Sequence, residues 1–121
     1  MGSAYNPLQA PEYIAGTITV SGGQIGVPQN LLALAIAQLE PNTPGAGLYF
    51  NLQADSANTV SVKIGCPTKI AGALSDTNYG FELVPGGSSY RNSSGGGISA
   101  PIGPIQIFAS AAATLHLELW A

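Results

Sequence analysis

Residues 48–65 read LYFNLQADSANTVSVKIG, two stretches of alternating apolar and polar residues that flank a polar turn. The apolar positions of the two stretches are Leu48, Phe50, Leu52, Val60, Val62 and Ile64. Successive side chains of a β-strand point to opposite faces, so a period of two places these positions on one buried face. Residues 48–65 therefore predict two strands, joined as a hairpin by the turn at residues 55–58.

A second hairpin is predicted at residues 102–120. Its first half contains IGPIQIFA, which alternates in the same way, and its second half contains TLHLELW, with all three leucines on one face. Further strands are expected at residues 14–20, 79–84 and 88–92. Many short strands with Gly- and Pro-containing turns indicate an all-β fold. We expect a single antiparallel β-sandwich, jelly-roll or immunoglobulin-like, over residues 14–121.

The segment Leu31–Leu39, LLALAIAQL, is compatible with a strand or with a helix. Its Leu and Ala content favours a helix by intrinsic propensity. However, the segment is short, Pro28 and Pro41 bound it, and its larger side chains alternate with alanines. We expect a strand here, with a helix as the alternative.

Residues 1–13 are predicted to form an extended arm. Pro7 and Pro11 fix their own φ and disfavour helix in the residue that precedes each. Tyr5 and Tyr13 give the arm two large apolar surfaces, and aromatic residues are enriched where proteins meet. We expect the arm to dock on another protein surface, with disorder as the alternative. The candidate interface residues of the whole chain are Tyr5, Pro7, Pro11, Tyr13, Tyr90 and Trp120.

Charged residues make up only 7% of the chain, against about 25% in typical soluble domains. A protein that stays alone in solution usually depends on a charged surface. We therefore expect partners to cover much of this surface, the alternative being that Ser, Thr and Asn hydrate it. Three basic residues are too few for a row of phosphates, so we expect no nucleic-acid binding and no attraction to an anionic membrane.

Targeting signals are not expected. Residues 1–11 hold neither a basic cluster nor an apolar core, which argues against a signal peptide. The longest apolar run, at residues 31–37, is too short to span a membrane. Cys66 is the single cysteine, which excludes an intramolecular disulfide and agrees with synthesis in a reducing cytosol.

Candidate catalytic residues are few. His116 is the only histidine, and Glu118 is the acid expected beside it on the same strand face. One imidazole and one carboxylate fall short of the roughly three or four ligands of a zinc site. Cys66 with His116 as its base would be the only nucleophile pair, and a lone cysteine is more often a small buried hydrophobe. We therefore expect no enzyme activity and no catalytic, metal or cofactor site.

Three segments of the chain each combine a characteristic strand with a turn or a chain end. The first joins NLQAD at residues 51–55 to NTVSVKIG at residues 58–65, a Gln-Ala strand followed by an Asn-Thr turn and a strand that ends in Ile-Gly. The second is FELVPGGS at residues 81–88, with a Leu-x-Pro-Gly-x-Ser turn. The third is IQIFA at residues 105–109, followed by the strand at residues 114–120, which ends in an aromatic. In this order they resemble the small β-sandwich proteins and domains of tailed-phage particles.

The resemblance covers about residues 46–120 and implies a virion component. Members of that family decorate or cement capsids, or form head-fibre, tail and fibre modules. The function implied first is a capsid decoration (cement) protein that binds the outside of a phage head and stabilises it. Its partners would be the major capsid protein and copies of itself, in a homotrimer or another symmetric assembly. It would be made in the host cytoplasm and reside on the capsid surface.

The alternative is a head-fibre or tail-fibre module that binds a host-surface receptor or a carbohydrate. Such a module would use exposed aromatic residues, with Tyr90 and the Ser/Gly-rich tip at residues 92–97 as candidates. For Tyr49 and Tyr79, by contrast, we expect packing in the core.

Overall fold

The computed structural model describes residues 13–41, 49–67, 70–87, 90–91 and 102–120. Strands make up 40% of the described structure, which confirms the expected all-β class. The strands are β1 (Tyr13–Val20), β2 (Gln29–Asn30), β3 (Tyr49–Ala54), β4 (Val62–Gly65), β5 (Phe81–Leu83), β6 (Tyr90–Arg91), β7 (Gln106–Phe108) and β8 (Ala113–Trp120). The one α-helix described, α1, is Leu31–Leu39, and a 3-10 turn covers Gly22–Gln24.

The strands form two antiparallel sheets of four strands each. Sheet A has the order β1-β8-β3-β6, and sheet B has the order β2-β7-β4-β5. In sheet A, β8 pairs along its whole length with β1 and over residues 115–120 with β3. In sheet B the inner strands β7 and β4 pair with each other.

Neither predicted hairpin is present, because the two strands of each lie in different sheets. β3 belongs to sheet A and β4 to sheet B, and β8 and β7 are divided in the same way. Each predicted turn is therefore a corner at which the chain crosses between sheets. The two corners stack, since β3 pairs with β8 and β4 with β7. Alternation specifies the face that a residue takes, but it does not specify the partner strand.

The inner faces of both sheets contribute to one hydrophobic core. Its strand members are Ile18, Val20, Phe50, Leu52, Ala54, Val62, Ile64, Leu83, Ile107, Ala113, Leu115, Leu117 and Leu119. The predicted burial is confirmed for Phe50, Leu52, Val62 and Ile64. Val60 is only half-buried, and Leu48 lies outside the described residues. Full burial of a large apolar side chain contributes about 1.5–3 kcal/mol, so this core is the main source of stability.

Leu31–Leu39 is a helix, and the expectation of a strand is wrong. The side chain of Asn30 accepts a hydrogen bond from Ala33 N at 2.9 Å, which satisfies an N–H group that has no partner within the helix. Glu40 takes the left-handed conformation, with φ 51°, and Pro41 follows it, a combination that ends a helix. Propensity and caps therefore outweigh the short alternation in this segment.

The helix packs against β1 and the core. Its buried residues are Leu31, Leu34 and Ala35, which share one helical face. On the strand side, a Cβ added to Gly16 would lie 2.7 Å from Leu39 Cδ2. The absence of a side chain at Gly16 therefore lets the helix approach β1 closely.

At one position of sheet A, two amide side chains make the backbone hydrogen bonds that a neighbouring strand would otherwise make. Gln38 accepts a hydrogen bond from Thr19 N at 2.8 Å and donates one to Thr19 O at 2.9 Å. Asn58 accepts from Thr114 N at 2.8 Å and donates to Thr114 O at 2.9 Å. Thr19 and Thr114 lie opposite each other in β1 and β8. The row is thus closed on both sides by side chains that satisfy backbone groups as a strand would.

The arm predicted at residues 1–13 falls outside the described residues, apart from Tyr13, which is the first residue of β1. Tyr5, Pro7 and Pro11 fall outside them as well. In the part of the chain that the structure describes, no helix has both the length and the apolar character needed to cross a membrane.

Candidate functional site

The outer face of sheet A, which points away from the core, brings aromatic and polar side chains together in rows. Residues directly opposite each other in neighbouring strands share a face, so the register of β1, β8 and β3 sets the rows. The aromatic row is Tyr13, Trp120 and Tyr49; the acidic row is Ala15, Glu118 and Asn51; the imidazole row is Thr17, His116 and Gln53. Each row crosses three strands, a span of about 10 Å.

The aromatic row is open to solvent. Tyr13 is 61% exposed and Tyr49 is 46% exposed. Trp120 lies between them in the register, and its ring plane is nearly parallel to that of Tyr49, at 26° with centroids 6.1 Å apart. Large rings gathered on an exposed face are typical of binding surfaces.

The acidic row holds its carboxylate between two neighbours. The Tyr13 hydroxyl donates a hydrogen bond to Glu118 Oε2 at 2.6 Å, and Asn51 Nδ2 donates to Glu118 Oε1 at 3.1 Å. The hydrogen bond to Glu118 raises the pKa of Tyr13 above its ordinary value, because the carboxylate favours the protonated phenol. Glu118 therefore links the aromatic row to the polar rows, while the small Ala15 leaves open space above β1.

The imidazole row is anchored to the corner between β3 and β4. His116 Nε2 lies 2.8 Å from Asp55 Oδ1, and Ala57 N donates to Asp55 Oδ2 at 2.9 Å. The hydrogen bond with His116, followed by that from Ala57, lowers the pKa of Asp55 below its ordinary value. At the other strand, Gln53 Nε2 donates to a backbone oxygen of the turn after β5 at 3.2 Å.

An open depression of about 420 Å³ lies over the acidic and imidazole rows. Its lining residues are Ala15, Gly16, Thr17, Asn51, Gln53, His116, Leu117 and Glu118. This volume is at the lower end of the range for small-molecule sites, about 300–1,000 Å³. The aromatic row is the next row along the strands, so ring surface and hydrogen-bonding groups are neighbours.

The predicted interface residues are divided by the structure. Tyr13 and Trp120 lie opposite each other in β1 and β8, side by side in the aromatic row. The backbone of Tyr90 is in β6, opposite Leu52, which is not a position of that row. The remaining candidates, Tyr5, Pro7 and Pro11, lie outside the described residues.

Tyr49 and Tyr79 are exposed by 46% and 38%, and the expectation that they pack in the core is wrong. For Tyr49 the signal was present in the alternation: because Phe50 is buried, the preceding side chain faces the other side of the strand. Tyr79 lies elsewhere, with its ring centroid 4.9 Å from Lys63 Nζ.

The outer face of sheet B is covered by the chain itself on its inner strands β4 and β7, whereas Glu82 on β5 is exposed. Lys63 on β4 is only 8% exposed, and its Nζ donates to Asp76 Oδ1 at 3.2 Å and to Asp76 O at 3.3 Å. Phe108 lies opposite Lys63 in β7 and is 9% exposed. The loop at residues 70–80 supplies Asp76 and Tyr79, which lie over Lys63 and shield it from solvent.

The residues considered for catalysis are not brought together. Cys66 is buried in the core, whereas His116 lies on the outer face of sheet A and contacts Asp55. Sequence reasoning missed the Asp55–His116 pair, since it depends on the pairing of β3 with β8. Within the described ranges, no group of three or more His, Cys, Asp or Glu side chains is placed to hold a metal ion.

Comparison with known proteins assigns no family, because no family model, no curated protein and no solved structure matches the chain. Aromatic rings pack against apolar ligand surfaces, and carboxylate, amide, hydroxyl and imidazole groups exchange hydrogen bonds with polar ones. The arrangement is suited to binding.

Proposed function

We propose that this protein is a structural virion component without catalytic activity, a decoration (cement) protein that binds the outside of a phage head and stabilises it. Its fold in this proposal is a single β-sandwich, jelly-roll or immunoglobulin-like, with residues 1–12 as an extended arm before β1. The shared core of sheets A and B supports the sandwich, because two sheets that bury their inner faces against each other form two packed layers.

The observation that carries this proposal is the scarcity of charge available to hydrate the surface. Charged residues are 7% of the chain, and several of them are already engaged. Lys63 pairs with Asp76, and Asp55 pairs with His116. Glu118 accepts hydrogen bonds from two neighbouring side chains. A surface with so few solvated charges favours association with other proteins.

In this function the protein acts by attachment alone. The arm and one face of the domain would contact the major capsid protein, and copies of the chain would meet around a local symmetry axis as a homotrimer or another symmetric assembly. Many weak contacts repeated over a shell add up to a large stabilisation. With three basic residues, neither nucleic acid nor membrane is a partner in this proposal. The protein would be made in the host cytoplasm and reside on the capsid surface.

Binding to capsids tests the proposal. Capsids of the virus that encodes the chain, prepared without the protein, are mixed with purified protein, sedimented, and assayed for bound protein and for the temperature of disruption. We expect saturable binding and a higher disruption temperature. A variant that lacks residues 2–12 keeps every described strand and is expected to bind more weakly. Failure of the full chain to bind either unexpanded or expanded capsids would contradict the proposal.

A second candidate is a head-fibre or tail-fibre module that binds a host-surface receptor or carbohydrate. The observation that favours it is the aromatic row, which exposes rings in a chain with only 7% aromatic residues. Labelling of the protein in intact particles by immuno-electron microscopy separates the two candidates. Label over the head supports decoration, and label at fibre or tail tips supports the second candidate.

A further inference from the structure

We propose that the outer face of sheet A binds an uncharged, hexose-based oligosaccharide. The aromatic row would pack against the sugar rings, and the acidic and imidazole rows would bind the hydroxyl groups. This inference deepens the second candidate by assigning a site and a ligand class, and it places the site on the sheet rather than at residues 92–97. It does not depend on attachment to a capsid, since the face would bind sugar wherever the protein resides.

The aromatic row offers an apolar surface on which sugar rings can pack. Trp120 and Tyr49 have nearly parallel rings, and Tyr13 lies opposite Trp120 on the other side. The C–H groups on one side of a pyranose ring form an apolar patch, and the negative face of an aromatic ring attracts them. Three neighbouring strands span about 10 Å, which suits a ligand of about two linked sugar rings.

Hydrogen-bonding groups lie beside the rings, in the acidic and imidazole rows. Sugar hydroxyls both donate and accept hydrogen bonds, so they require a mixture of partners. Glu118 is held by two neighbours and His116 by Asp55, while Thr17 adds a hydroxyl on the same face. Groups that are already fixed lose little conformational entropy on binding. The depression over these rows, about 420 Å³, gives room for a sugar ring.

The charge of the face favours a neutral ligand over an anionic one. β1, β3 and β8 contain no Lys or Arg, and the face holds the carboxylates of Glu118 and Asp55. The neighbouring strand β6 contributes one basic residue, Arg91, whose backbone lies opposite Asn51 of the acidic row. The chain as a whole has a formal net charge of −3. A sulfated sugar or a nucleic acid would therefore meet repulsion, whereas a neutral glycan would not.

A protein is the competing occupant of this face. An apolar protein surface that covered the aromatic row would also strip water from the neighbouring carboxylate and imidazole groups. Such desolvation is unfavourable unless each group receives a new hydrogen bond. A ligand covered with hydroxyls supplies those hydrogen bonds at every position, which is why the polar rows favour a glycan.

Fluorescence of Trp120 provides a direct test, because it is the only tryptophan in the chain. The purified full-length protein is titrated with neutral tetrasaccharides of glucose, mannose, galactose and N-acetylglucosamine, and with a sulfated tetrasaccharide. We expect at least one neutral sugar to change the Trp120 emission saturably, with a Kd between micromolar and millimolar. The sulfated sugar is expected to leave the emission unchanged.

Three tyrosine variants show whether the aromatic row is the site. Tyr49→Ala and Tyr13→Ala each remove an exposed ring of the row, and Tyr79→Ala removes a comparably exposed ring that lies over Lys63 at sheet B. The first two are expected to raise the Kd by roughly tenfold, the effect of one lost aromatic contact. Tyr79→Ala is expected to leave the Kd unchanged. Circular dichroism and thermal unfolding of each variant verify that the fold is retained.

The inference is overturned if no neutral tetrasaccharide changes the Trp120 emission at millimolar concentration, or if Tyr79→Ala weakens binding as much as Tyr49→Ala. It is also overturned if Tyr49→Ala abolishes capsid binding while no sugar binds, since the face then docks a protein. Failure of the protein to bind capsids would leave the sugar titration unaffected. The decoration function and the glycan site therefore fail or succeed separately.

Discussion

Lys63 on the outer face of sheet B is 8% exposed, whereas Tyr13 on the outer face of sheet A is 61% exposed. On sheet B the loop at residues 70–80 brings Asp76 and Tyr79 over the lysine. On sheet A the aromatic row remains in contact with solvent. Among the described residues, the chain therefore covers the outer face of sheet B at Lys63 and leaves the aromatic row of sheet A exposed, as is typical of binding surfaces.

The comparison predicts that a glutamate introduced on each face has very different effects on stability. Lys63→Glu removes the partner of Asp76 and places a second carboxylate opposite Glu82 in a covered site. A buried charge without its partner is strongly destabilising, so we expect a loss of about 3 kcal/mol or more in the free energy of unfolding. The matched variant Gln53→Glu adds a carboxylate on the open face and is expected to cost about 0.5 kcal/mol or less. Urea unfolding measures the loss of stability in both variants. Equal losses would contradict the difference in burial between the two faces.

The two amide side chains that close one row of sheet A allow a smaller version of this comparison. Asn58 lies in a partly buried corner, and its two hydrogen bonds to Thr114 cannot readily be replaced by water. Gln38 makes the equivalent pair with Thr19 at an exposed position. We expect Asn58→Ala to lower the free energy of unfolding by about 2 kcal/mol and Gln38→Ala by about 1 kcal/mol or less. A larger loss for Gln38→Ala would mean that the helix, and not the corner, secures this row.

On the open face the hydrogen bond between Asp55 and His116 is expected to make stability depend on pH. Folding lowers the pKa of Asp55 below its ordinary value of 3.8, so folding favours the carboxylate. The stabilisation is therefore present above this pH and is lost as the pH falls through the folded pKa. The free energies of unfolding of the wild type and of Asp55→Asn should differ most above about pH 5 and converge towards about pH 2. A difference that stays constant over this range would exclude the carboxylate as its source.

The smallest effect is expected at the edge of the aromatic row. The hydrogen bond to Glu118 raises the pKa of Tyr13, so its phenol should lose its proton above the ordinary value of 10.0. Glu118→Gln keeps the shape of the side chain but removes the charge, and it is expected to bring the pKa of Tyr13 back towards that value. NMR titration of the Tyr13 ring measures the change. An unchanged midpoint would show that Glu118 does not hold this ring in solution.

The faces of the strands could be predicted from the sequence, and their partners could not. The alternation in TLHLELW correctly placed Leu117 in the core and His116 outside, because the period of two is a local property of the chain. The same period of two places Tyr49, which precedes the buried Phe50, on the outer face of β3. Asp55 meets His116 only because β3 pairs with β8. Pairings of this kind arise from tertiary packing and leave no mark in a single stretch of sequence.

The helix shows a different limit of sequence reasoning. Pro28 and Pro41 limit the length of the segment, which favours a strand, but Pro41 follows a left-handed Glu40 and marks the end of α1. The N-cap residue Asn30 and the Leu/Ala composition were both visible in the sequence. Their combined weight exceeds that of a short alternation, since each residue of good propensity and each cap adds to helix stability.

The central position of β8 in sheet A has a consequence for the order of events during synthesis. Tyr13 and Glu118, joined by a hydrogen bond, are 105 residues apart in the chain, and both β1 and β3 pair with β8. A ribosome-bound chain whose β8 is still in the exit tunnel cannot complete sheet A, and its β1 and β3 lack their shared partner. Contacts of such long range make folding slow. Until β8 emerges, the edges of β1 and β3 that pair with it remain unpaired. Unpaired edges promote aggregation, so chaperones or neighbouring copies influence whether the nascent chain folds.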